Sequence, residues 1–184
     1  MHYPRNLIAA LVCLVLVALV ARADDKKTEY KYVGTKFCAA CHKAGKGGTA
    51  YAVWEKGAHA KAYKTLEGDA AKKIAKEKGL KTAPAESPEC LKCHVPGGGS
   101  AKNVEKTFDM KEGVTCEVCH GAASGYKMIH SKGDLAKSKE SGLMIADKTG
   151  KMCETCHNAE SPTNKEFKFA EMWKKIEHGL PPKK

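Results

Sequence analysis

The 184-residue chain has room for one domain, or two small ones. With 42% hydrophobic and 29% charged residues it is neither a disordered tail nor a polytopic membrane protein. Aromatic residues make up only 7%, thin for a chain that must fill its own core, and a net charge of +11 invites a nucleic-acid or anionic-membrane reading. The nine cysteines decide between these classes, and what they do depends on the compartment.

Residues 1–23 read as an export leader. Arg5 supplies a basic start, residues 7–20 are an unbroken apolar run, and Ala21-Arg22-Ala23 gives the small-x-small cleavage pattern ahead of Asp24. The run is shorter than the about 20 residues that span a bilayer, so cleavage after Ala23 is expected and an uncleaved anchor is the alternative. Cys13 lies within the run behind Val12, a poor lipidation site, and leaves with the leader. The mature domain is then residues 24–184, and losing Arg5 and Arg22 lowers the net charge from +11 to +9. Export makes a nucleic-acid partner unexpected.

The remaining cysteines fall into four pentads: Cys38-Ala-Ala-Cys41-His42, Cys90-Leu-Lys-Cys93-His94, Cys116-Glu-Val-Cys119-His120 and Cys153-Glu-Thr-Cys156-His157. Each is C-x-x-C-H, the attachment signature of c-type haem. The two thiols add across the two vinyl groups of the macrocycle, and the adjacent imidazole turns to the iron. Structural zinc also uses C-x-x-C pairs, but neither zinc nor disulfide pairing requires a His directly after the second Cys in every copy. The pentads therefore predict four covalently bound haem c groups, with Cys38, Cys41, Cys90, Cys93, Cys116, Cys119, Cys153 and Cys156 as attachment points. The macrocycles would supply the missing apolar core. Their propionates, two on each, would offset most of the basic excess.

Eight histidines are present. His2 leaves with the leader and four are proximal, so His59, His130 and His178 are the candidates for distal iron ligands, and three cannot serve four irons. A second axial imidazole makes a six-coordinate iron suited to electron transfer, whereas an open face admits a ligand or chemistry. Trp54 precedes His59 by five positions in an expected helix over residues 50–67. Trp173 precedes His178 by the same interval in another over residues 165–178, which Pro181 and Pro182 end. Met110, Met128, Met144, Met152 and Met172 are alternative axial ligands, although methionine is more often core filler.

The pentads start at 38, 90, 116 and 153, with no fixed period, so this is no array of equal repeats. Residues 69–78 read as a helix that Gly79 stops; its lysines form either a solvated face or a docking face for an acidic partner. Residues 96–100, Pro-Gly-Gly-Gly-Ser, read as a flexible loop. Strand signals are nearly absent. The expected fold is mostly α, an irregular helical multihaem architecture organised around four haems, with little or no β-sheet.

These residues resemble the cytochrome c-554 family of periplasmic tetrahaem carriers. The resemblance is carried by Thr35-Lys-Phe-Cys-Ala-Ala-Cys-His42, Trp54 with His59, Ser87-Pro-Glu-Cys-Leu-Lys-Cys-His94, Gly113-Val-Thr-Cys-Glu-Val-Cys-His-Gly121, Tyr126 with His130, and Ile176, His178 and Pro181. The chain departs from the family pattern in a shorter stretch between the fourth pentad and His178, and in the insert Gly45-Lys-Gly-Gly48. The resemblance implies crossed ligation: His130 on the first haem, His59 on the third, His178 on the fourth, and an open distal face on the second. Spacing alone does not give these pairings, since every linker reaches several irons. The resemblance also implies a periplasmic location, although a cleaved leader admits an extracellular one.

Three functions compete. The first is an electron carrier between periplasmic redox proteins or membrane quinone-linked cytochromes, as a monomer or weak oligomer. The second is an enzyme that reduces a small nitrogen oxide such as nitric oxide at the open second haem. The third is a subunit of an extracellular cytochrome filament, in which a neighbouring chain donates the missing ligand. No general acid or base in the sequence is committed to an iron, which ranks the carrier first.

Overall fold

The computed structural model describes residues 29–43, 48–146 and 148–179. The leader with its cleavage site, most of the glycine insert, and the Pro181-Pro182 stop lie outside the described residues. Ten α-helices follow one another in these segments: α1 Thr35–His42, α2 Ala50–Lys56, α3 Ala62–Leu66, α4 Asp69–Glu77, α5 Pro88–His94, α6 Cys116–His120, α7 Lys127–His130, α8 Leu135–Glu140, α9 Lys151–Glu154 and α10 Phe169–Trp173. None exceeds nine residues, and short 3₁₀ turns join several of them. The β-pairing among the described residues is a single isolated bridge between Tyr32 and Val104. The fold is mostly helical, as the sequence predicts.

Local chemistry explains where helices stop. The amphipathic α4 ends in a Schellman turn, with Leu80 N–H donating to the Ala75 carbonyl at 2.9 Å and Gly79 N–H to Lys76 at 3.0 Å. That is the stop expected at Gly79. Pro88 opens α5 at a position where its missing N–H costs nothing. Asp134 caps α8 through its side chain, which accepts from Lys137 N–H at 3.0 Å.

Three expectations are corrected. The helix over residues 50–67 is broken: Gly57 takes extended backbone after α2, and His59 then lies in a 3₁₀ turn ahead of α3. The helix over residues 165–178 shrinks to Phe169–Trp173, with His178 beyond it. Residues 96–100 are not a free loop. Pro96 is buried, and a Cβ at Gly97 would sit 2.8 Å from the Tyr32 ring, so the glycines allow close packing against the N-terminal segment.

The core is small. Val33, Ala123, Tyr126 and Leu143 make one buried cluster. Leu66, Leu91 and Val95 make another, with Tyr63, Phe108 and Met110 packed against it. The segment that precedes α1 is fastened to two later stretches of the chain. Tyr32 N–H donates to Asn103 and its carbonyl accepts from Glu105 N–H, both at 2.8 Å. Lys31 and Ser124 exchange two more bonds.

Candidate functional site

Three of the four pentads lie in or form helices that end on their histidine, namely α1, α5 and α6; the fourth starts in α9 and closes with His157 N–H on the Cys153 carbonyl at 2.9 Å. A helical turn puts positions i, i+3 and i+4 on one face. Both thiols and the imidazole of each pentad therefore project from the same side, as attachment of one flat macrocycle requires. No disulfide joins the pentad cysteines among the described residues. Among the described residues no group of three or more His, Cys, Asp or Glu side chains is placed to hold a metal ion, so the pentads do not converge into zinc sites.

The thiols of different pentads approach each other. Those of Cys38 and Cys116 share a hydrogen bond, which together with burial holds Cys38 well above the ordinary thiol range. Burial raises Cys119 to about 11, with Cys153 next to act on it. Burial also raises Cys93 to about 11, and Cys156 adds to it as a neighbour. The pentads are thus linked in the order first, third, fourth, second.

Among the described residues the histidines form three pairs. His42 and His130 stack with ring centres 6.0 Å apart and planes 9° apart. His59 and His157 lie 6.1 Å apart at 51°. His120 and His178 lie 6.0 Å apart at 62°. With about 2 Å from an iron to each nitrogen, the ring centres of two axial imidazoles fall about 6 Å apart. Every pair joins one pentad histidine to one of the three spare histidines. Burial lowers His59, His120, His130 and His157 below the usual imidazole range, which keeps the rings neutral and their lone pairs available.

The first pairing agrees with the one the family resemblance implies. The other two are exchanged: His59 faces the fourth pentad instead of the third, and His178 faces the third instead of the fourth. The backbone explains the exchange. Val114 N–H donates to the His59 carbonyl at 3.0 Å, and Trp54 Nε1 donates to the Val114 carbonyl at 2.7 Å. The His59 turn is therefore pinned by its main chain to the segment just ahead of the third pentad, while its ring points across to the fourth. The tail after the fourth pentad folds back on Gly150 through Phe169 and carries His178 to the third.

His94 has no such partner among the described histidines. Its Nδ1–H donates to the Ala62 carbonyl at 2.6 Å, fixing the ring and leaving Nε2 free. Of the methionines, Met110 packs into the Leu66 cluster as filler, while Met128 and Met144 are exposed.

Sequence reasoning missed Glu117, which hides in the spacer of the third pentad. It is 1% exposed, and its carboxylate accepts from the backbone N–H groups of Val33, Gly34 and Ala123 at 2.8–3.1 Å. It ties the third pentad to the segment that launches the first. Burial raises its pKa, against the pull of those three N–H donors. Nothing in C-x-x-C-H marks either spacer residue as structural. Phe167, whose ring stacks on His157 with centres 4.7 Å apart, was also missed.

The residues present fit haem c. Among the described residues five large apolar side chains are exposed: Phe37, Met128, Leu135, Met144 and Ile145. Phe37 adjoins Cys38, Met128 is in the short helix of His130, and the Met144 carbonyl accepts from His120 Nδ1–H at 3.0 Å. A macrocycle at each pentad would cover surfaces of this kind.

Residues 37–121 match the family model described as cytochrome c554 and c-prime. A curated relative, "Cytochrome c-554" of Nitrosomonas europaea, is 33% identical over 135 residues, which is 70% of this chain and 54% of the relative. The chain thus spans about half the length of that relative. No solved structure matches.

Proposed function

We propose that this chain, which resembles the cytochrome c-554 family, is an exported tetrahaem cytochrome c that carries electrons between redox proteins of the periplasm. The observation that carries this reading is the set of three histidine pairs at 6.0–6.1 Å. Cys38 and Cys41 would hold the first haem between His42 and His130. Cys116 and Cys119 would hold the third between His120 and His178. Cys153 and Cys156 would hold the fourth between His157 and His59. Cys90 and Cys93 would hold the second on His94 alone.

Each haem, when bound, supplies a one-electron ferric/ferrous couple. The protein's part is to fix the ligands and exclude water. Paired imidazoles held on separate segments keep the coordination the same in both oxidation states, so little has to move when an electron passes. Thiols of different pentads lie near enough to act on one another in the order first, third, fourth, second, which supports a continuous route with an entry and an exit. Among the described residues no helix is long and apolar enough to cross a membrane. Its partners would be periplasmic redox proteins or quinone-linked membrane cytochromes.

The unpaired His94 favours a second reading of one site. An iron on that imidazole would keep an open face for a diatomic such as nitric oxide, and turnover there would make the protein an enzyme. Intact mass of the mature protein tests the cofactor count, with four haem masses expected. Nitric oxide added to the ferrous protein should bind at one haem per chain. A colourless protein would refute the whole reading, and steady turnover of nitric oxide would replace carrier by reductase.

A further inference from the structure

We infer that Phe167 is the positioning residue of the fourth haem site: stacked on His157, it fixes the rotation of that imidazole about its bond to the iron. The inference rests on the haem reading above and adds a residue that the attachment motif does not contain. The Phe167 and His157 rings are 14° from parallel with centres 4.7 Å apart, the closest of the described ring pairs. A coordinated imidazole turns about a single metal–nitrogen bond, which offers little intrinsic resistance. A flat ring packed on its face blocks that turn in both directions, because rotation would drive imidazole edges into the phenyl.

Phe167 is itself held. Two residues further on, Phe169 lies over Gly150, where an added Cβ would stand 3.0 Å from the ring. Phe169 also packs on Trp173, with ring centres 5.4 Å apart. Gly150 immediately precedes α9, so the strap over residues 167–173 grips the fourth pentad on both sides, at its start through Phe169 and at its histidine through Phe167. The imidazole planes of this site stand 51° apart, against 9° at the first site. Parallel imidazoles split the two iron d orbitals with which they overlap, whereas twisted planes leave them closer in energy. The angle that Phe167 holds therefore sets the ferric electronic structure of one haem, and through it that haem's potential.

The test uses oxidised holoprotein, with the haem count confirmed by intact mass. Phe167→Leu keeps apolar volume but removes the flat ring, and Phe167→Tyr keeps the ring. In the Leu variant one low-spin EPR signal should shift and broaden, and that haem's potential should move while the others stay. The affected signal should be the one that His59→Ala converts to high spin. The Tyr variant should reproduce the parent spectrum. Gly150→Ala, remote from the imidazole, should move the same signal by displacing Phe169. A four-haem Leu variant with every signal in place would overturn the inference, as would a Tyr variant shifted as far as Leu. A parent protein with fewer than four haems would instead refute the reading on which it rests.

Discussion

At Gly113 the backbone has φ 72°, and a Cβ would stand 2.6 Å from the His59 carbonyl oxygen. Gly113→Ala should therefore cost about 1–3 kcal/mol and push the His59 turn away from Val114. The diagnostic is spectral as well as thermal: the fourth haem should go from low spin to high spin while the first stays unchanged. A variant that melts as the parent does, with all its low-spin signals, would show that the clamp on His59 is unimportant. The histidines also fix a pH dependence. Burial lowers His59, His120, His130 and His157 in the folded chain, whereas unfolded imidazoles titrate near about 6.5. In the window below that value the unfolded state holds more protons, so stability rises with pH through the window and is lost as pH falls. Melting temperature and low-spin fraction should decline together on acidification below about pH 6.5 and be flat just above it. Low-spin signals that persist through that window while the melting temperature falls would separate ligation from stability.

Among the elements, α6 does most to connect the sites, because Glu117 on it organises the backbone of Val33, Gly34 and Ala123. Cys116→Ala with Cys119→Ala should therefore lose more than the third haem, read by intact mass. Folding with three native haem spectra and unchanged melting would mean that the macrocycles are not the core. Trp54→Phe removes one donor and leaves the Val114 carbonyl unpaired, a loss of about 0.5–1.5 kcal/mol, measurable as a lower melting midpoint. The pentads, the stop at Gly79 and the helical class were legible in the sequence, since each depends on a few adjacent residues. The break at Gly57 was not, because extended backbone there is imposed by the link between His59 and Val114, a contact between distant segments. Glu117 was invisible for the same reason: two of its three donors, Val33 and Gly34, come from the segment ahead of α1, far away in the chain.

For the whole molecule, the three spare histidines were readable by counting, but their partners were not. Long linkers reach several irons, and family likeness gave one pairing of the three that the rings adopt. The tail after the fourth pentad is short, so its path over Gly150 rather than its length decides which iron His178 meets. The central claim is a count: three irons between paired imidazoles and one on His94 alone. EPR of the fully oxidised holoprotein at micromolar dilution tests it most directly. The account predicts four haems as three low-spin signals and one high-spin signal. One low-spin signal should be rhombic, from the near-parallel His42 and His130, and two should be strongly anisotropic, from the twisted pairs. Four low-spin signals, or two or more high-spin ones, would contradict it.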